Sequence, residues 1–162
     1  MKAAMEAPQM TSVVTSRFGE VTYEAGDVIE FPWGLPGFSS LRRFLPLTLD
    51  EQPNFVWLQS LDDPKIALPA ADPWQIFDSF DPRLPAYATD TLELRGPEDF
   101  TILCIVVVTK EAKEMYMNLM APIVINLKSR RGRQVMLENS GYSVRTPVPR
   151  RAGEEQGAPT LA

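Results

Sequence analysis

Thr101-Ile102-Leu103-Cys104-Ile105-Val106-Val107-Val108-Thr109 is the stretch that decides the fold class. It is rich in β-branched residues and apolar at both parities. Ile102, Cys104, Val106 and Val108 alternate with Leu103, Ile105 and Val107. Successive side chains of a strand point to opposite faces. A strand apolar on both is buried on both, as at the centre of a sandwich or a closed barrel. The same run is far shorter than the ~20 apolar residues a membrane-spanning helix needs.

Downstream, Pro122–Leu127 and Arg133–Glu138 read as a hairpin around Lys128-Ser129-Arg130-Arg131-Gly132, a Gly-ending loop of ordinary hairpin length. Upstream, Thr15–Glu24 and Asp27–Phe31 flank the turn-like pair Ala25-Gly26. Phe44–Leu49 and Phe55–Ser60 flank Asp50-Glu51-Gln52-Pro53-Asn54, a loop by composition. Ile66–Ala70 and Thr91–Leu94 are shorter strand candidates. Helical turns are expected at Ser39–Arg43 and at Trp74–Phe80, where Asp72 can cap and Pro73 suits a first turn.

Composition agrees with many strands and turns. Ten of the fifteen prolines lie between Pro32 and Pro97. Proline breaks helix interiors and collects at turns and strand ends, so this stretch holds no long helix. The 162 residues suit one domain. Residues 1–14 and 149–162 are small or polar and have little to bury; they are expected as disordered tails around a folded body at 15–148. The N-terminus lacks the apolar segment of a signal peptide, so a cytoplasmic protein is expected.

The absence of histidine excludes Ser-His and Cys-His catalytic pairs and imidazole metal ligands. A single cysteine excludes an intrachain disulfide and a Cys-rich zinc site. Cys104 sits in the most apolar strand and reads as a small buried hydrophobe. Residues 1–127 carry 9 basic and 18 acidic side chains, a net of −9, whereas 128–162 carry a net of +4. An acidic body disfavours nucleic-acid phosphate and favours a basic partner, or serves solubility alone.

Catalytic constellations are few. The carboxylate pairs Asp50-Glu51, Asp62-Asp63, Glu98-Asp99 and Glu154-Glu155 read as solvated loop acids. Ser60 could form a Ser-Lys dyad with Lys65, or simply end a strand. A small hydrolase using such a site is the alternative class. The basic run Lys128, Arg130, Arg131, Arg133 has little aromatic interleaving and reads as a solvated turn. Phe31-Pro32-Trp33-Gly34-Leu35-Pro36-Gly37-Phe38 lacks the pattern of a phosphate loop. It is a rigid loop displaying Trp33, Leu35 and Phe38, either as a plug on the core or as an apolar contact for a partner. Binding outranks catalysis on these residues.

Three blocks together carry a resemblance. They are Phe31-Pro32-x-Gly34-Leu35-Pro36-Gly37-Phe38; Leu58-Gln59-Ser60-Leu61-Asp62-Asp63-Pro64 followed by Asp72-Pro73; and Asn118-Leu119-Met120-Ala121-Pro122-Ile123-Val124-Ile125-Asn126, then Gly132-Arg133-Gln134-Val135 and Tyr142-Ser143-Val144-Arg145. In order and spacing they resemble the FliW family of flagellar assembly factors, over about residues 15–148. The resemblance implies a mainly β, compact, barrel-like single domain with one or two short helical turns, without enzymatic activity, cofactor or metal. It implies a protein that binds newly made flagellin in the cytoplasm. When flagellin is exported, the freed factor binds and antagonises CsrA, the carbon storage regulator, a small RNA-binding translational repressor. The acidic body fits a regulator that is basic because it binds RNA. A monomer without direct nucleic-acid or membrane binding is expected. The motifs and the rigid loop nominate Leu35, Phe38, Gln59, Ser60, Asp62, Asp63, Asn118 and Asn126 as partner-binding candidates.

Overall fold

The computed structural model describes residues 10–111 and 113–149. Strands dominate. A hairpin of β1 (Met10–Thr15) and β2 (Gly19–Glu24) stands as its own two-stranded sheet. The main sheet contains β3 (Ile29–Glu30), β4 (Arg43–Leu49), β5 (Gln52–Ser60), β6 (Ala67–Ala71), β7 (Phe100–Val108), β9 (Ile123–Asn126) and β10 (Gly132–Gln134), in the order β10-β9-β7-β6-β5-β4-β3. A branch from β7 adds β8 (Met115–Met117) and then β11 (Thr146–Pro147). All these named strand pairs are antiparallel.

The mainly β single domain is as the sequence implies. The sheet does not close into a barrel: among the described residues its two end strands, β3 and β10, share no ladder, and Glu30–Arg131 beside them is an isolated parallel bridge.

The doubly apolar run is the reason for this architecture. Ile102, Cys104 and Val106 of β7 enter one core cluster, with Val124, Met117, Val135 and Leu137. Leu103 enters the other, with Ile123, Ile125, Phe31 and Phe44. The two parities of one strand thus feed two separate cores, but Val107, expected on a buried face, is exposed. Each fully buried aliphatic side chain contributes roughly 1.5–3 kcal/mol relative to exposure.

Proline inside the sheet has a local explanation. Pro46 pairs with Leu58 on β5, but β3 reaches only Arg43 and Phe44. Pro69 pairs with Trp57, but β7 reaches only Ala70 and Ala71. Each proline stands where its strand has a neighbour on one side alone, so its missing N–H breaks no ladder.

Several local expectations change. Thr15–Glu24 is not one strand: the chain reverses over 16–18, held by Phe18 N donating to Thr15 Oγ1 at 2.9 Å, and Gly19 takes the positive φ of 68° that the turn requires. Residues 10–14, assigned to the N-terminal tail, form most of β1. Residues 1–9 and 150–162, the rest of the expected tails except Pro149, lie outside the described residues. Ser39–Arg43 is a turn leading into β4, because Arg42 is tied back to Phe31 through Phe31 N donating to Arg42 O. The turn after Asp72 is a single 3-10 turn, Pro73–Gln75, capped as expected by the Asp72 carboxylate accepting from Trp74 N. Thr91–Leu94 is not a strand. It ends the short helix α1 (Ala86–Thr91), where Leu94 N donates to Thr89 O.

Candidate functional site

The motif residues mostly hold turns. Gln59 and Ser60 are fully buried at the end of β5. The Gln59 Nε2 donates to the carbonyls of Ser60, Pro64 and Ile66. The Ser60 Oγ accepts from the amides of Asp62 and Asp63 at 3.1 and 2.9 Å. Asp62 accepts from the amides of Arg42 and Arg43 at 2.7 and 2.9 Å, so it fastens the end of the 32–42 loop to the turn after β5. Asp63 accepts from Lys65 N within its own turn. Ser60 is therefore enclosed and committed, and the carboxylate of Asp62 is occupied by backbone. Ser60 is not a free hydroxyl aimed at a reacting atom, whereas Asp62 is exposed and takes both amides on Oδ2 alone.

The two asparagines behave alike. Asn118 accepts from Ala121 N at 3.0 Å and shapes the entry to β9. Asn126 is buried; its Nδ2 donates to Leu92 O, and its Oδ1 accepts from Lys128 N and Ser129 N. It closes the β9–β10 loop and ties it to the end of α1.

The rigid loop divides its three apolar side chains. Leu35 is buried in the core beside Phe31 and Phe44, which removes it as an exposed contact. Phe38 is half-buried against the same cluster. Trp33 is 43% exposed. The backbone explains the split. Gly34 at φ 68° and Gly37 at φ 85° turn the chain so that Phe38 N donates to Leu35 O, which folds Leu35 inward. A Cβ at Gly34 would lie 2.6 Å from the Ser39 carbonyl oxygen, so the turn is closed to larger residues.

Trp33 does not stand alone. The Arg133 guanidinium of β10 lies between two rings, 4.4 Å from the Trp33 centroid and 4.8 Å from that of Tyr87 on α1. Its Nη1 donates to Thr91 Oγ1 at 3.0 Å. Arg131 lies 5.9 Å from the Trp33 ring. Tyr87 OH accepts from Met136 N, and both Tyr87 and Met136 are exposed. From Tyr87 and Met136 the surface drops into an open cleft of about 550 Å³, walled further by Arg83, Pro85 and Tyr142. Three separate parts of the chain thus build one aromatic, methionine and arginine surface. The basic run is not merely a solvated turn; its aromatic partners come from elsewhere in the sequence.

Two titrating groups complete the electrostatics. Burial, and then the charge of Asp72, pushes the Cys104 thiol up to about 12. That is incompatible with a thiolate nucleophile at neutral pH. Amide donation from Arg95 and then Gly96 holds the Asp99 carboxyl below its ordinary value, consistent with a turn-closing role.

A family model described as FliW protein matches residues 12–148. Flagellar assembly factor FliW of Clostridium tetani is 34% identical over 134 residues, covering 83% of this chain and 92% of the relative. The protein of that name from Pseudothermotoga lettingae is 37% identical, covering 82% and 85%. That from Oceanobacillus iheyensis is 32% identical, covering 88% and 99%. A crystal structure of the flagellar assembly factor FliW superposes with a TM-score of 0.78 at 28% identity, covering 86% of this chain and 98% of that one.

Proposed function

The chain belongs to the FliW family of flagellar assembly factors, and from that premise we propose that it acts by binding two proteins in the cytoplasm. It holds flagellin before export. Once flagellin leaves, it captures CsrA, the translational repressor, and so releases flagellin translation. It works as a monomer, without cofactor and without catalysing a reaction.

The observation that carries a binding role is the exposed Trp33–Arg133–Tyr87–Met136 surface beside an open cleft. Tryptophan, tyrosine and arginine are the residue types that dominate binding energy at protein interfaces. The residues that a hydrolase would have used support the same side: Ser60 accepts two backbone amides, and Asp62 accepts two more. The net charge of −5 supports a basic, RNA-binding second partner.

Affinity capture from a flagellated cell lysate, read by mass spectrometry, tests the reading. Flagellin and CsrA should both be enriched, and raising flagellin should lower the CsrA recovered. Enrichment of neither contradicts the proposal.

A further inference from the structure

The acidic body and the arginine surface call for opposite partners. Arg131 and Arg133 are held over aromatic rings, and no carboxylate among the described residues pairs with either. Arg133 is fixed on both ring faces and by Thr91, so little side-chain freedom remains to be lost on binding. A planar guanidinium with open N–H donors matches a carboxylate in bidentate geometry. Trp33, Tyr87 and Met136 offer apolar contact immediately around it. A basic RNA-binding regulator would meet like charge here, which opposes association.

We infer that the Trp33–Arg131–Arg133–Tyr87–Met136 surface is the flagellin dock, and that it takes a segment in which a carboxylate is flanked by apolar side chains. This rests on the flagellin-binding role proposed above and adds which surface serves it. The carboxylate meets Arg131 and Arg133, while its apolar neighbours lie on Trp33 and along Tyr87 and Met136 towards the cleft. CsrA meets the acidic remainder of the body, so the two partners touch different surfaces, and bound flagellin keeps CsrA off by its bulk rather than by sharing a contact.

The test measures binding of purified flagellin and of purified CsrA to three proteins: the parent, Arg131→Glu with Arg133→Glu, and Trp33→Ala. Melting temperature is the check on folding. Each variant should weaken flagellin by about tenfold or more, the scale of an interface hot spot; Trp33→Ala should leave CsrA binding within about twofold, and the charge reversal should not weaken it. Trp33→Ala keeps the test decisive if the charge reversal disturbs β10, because Trp33 lies in the 32–42 loop and belongs to neither core cluster. Folded variants that bind flagellin like the parent overturn the assignment while leaving the flagellin-binding role standing. Equal loss of both partners by folded variants overturns the separation of surfaces. A parent that binds no flagellin overturns the role itself, and this dock with it.

Discussion

Cys104 is fully enclosed between β-strands, and its thiol is pushed up to about 12. Only the thiolate attacks disulfide reagents. The folded protein should therefore resist a thiol reagent at pH 8 for as long as it stays folded, and label fully on denaturation. Cys104→Ala should cost about 1–2 kcal/mol through lost packing, with partner binding intact. Stoichiometric labelling of the folded protein would contradict this. Cys104 was legible in the sequence because its immediate neighbours create its environment. The hydrogen bonds of Asp62 and Asn126 were not, because they depend on atoms brought from elsewhere. Asp62 is claimed by the amides of Arg42 and Arg43, and Asn126 by the carbonyl of Leu92. Spacing along a chain carries no record of such pairings. The same holds for Arg133, whose two aromatic partners lie in a loop and a helix far from it in sequence.

Among elements, the β9–β10 hairpin joins core and surface. Gly132 opens β10 against Phe31, and a Cβ there would sit 2.5 Å from Phe31 Cε1. The Phe31 ring is itself fully buried, edge-on to Phe44 at 5.4 Å, and has little room to retreat. Gly132→Ala should lower stability by about 1–3 kcal/mol, the usual cost of overpacking, as a reduced denaturant midpoint. An unchanged midpoint would show that the hairpin shifts freely. The nine-residue β7 was readable from its apolar pattern, and so was the hairpin's existence, although its second strand is Gly132–Gln134 rather than the expected Arg133–Glu138. The helix α1 was not. Its six residues, Ala86–Thr91, are too few to display an apolar period, and they follow a proline-rich stretch. The β1–β2 hairpin was not readable either, since Met10–Thr15 has no apolar alternation and looks like a tail. Closure of the sheet could not be read from apolar parity, because a buried strand between two cores looks the same whether or not the edges meet.

For the whole molecule, the proposed division of roles rests on charge. The first 127 residues carry a net of −9, and the arginines at the Trp33 ring, Arg131 and Arg133, belong to the remainder, which carries +4. Opposite fields accelerate encounter and are screened over ~8–10 Å at physiological ionic strength. The association rate with CsrA should therefore fall as salt rises, while dissociation changes less; a salt-independent association rate in stopped-flow experiments would remove charge from the account. The most direct test of the central claim is the fluorescence anisotropy of a labelled flagellin-leader RNA bound to CsrA. Adding this protein should release the RNA, and adding flagellin afterwards should restore the bound signal. RNA that stays bound to CsrA at saturating amounts of the folded protein would contradict the account.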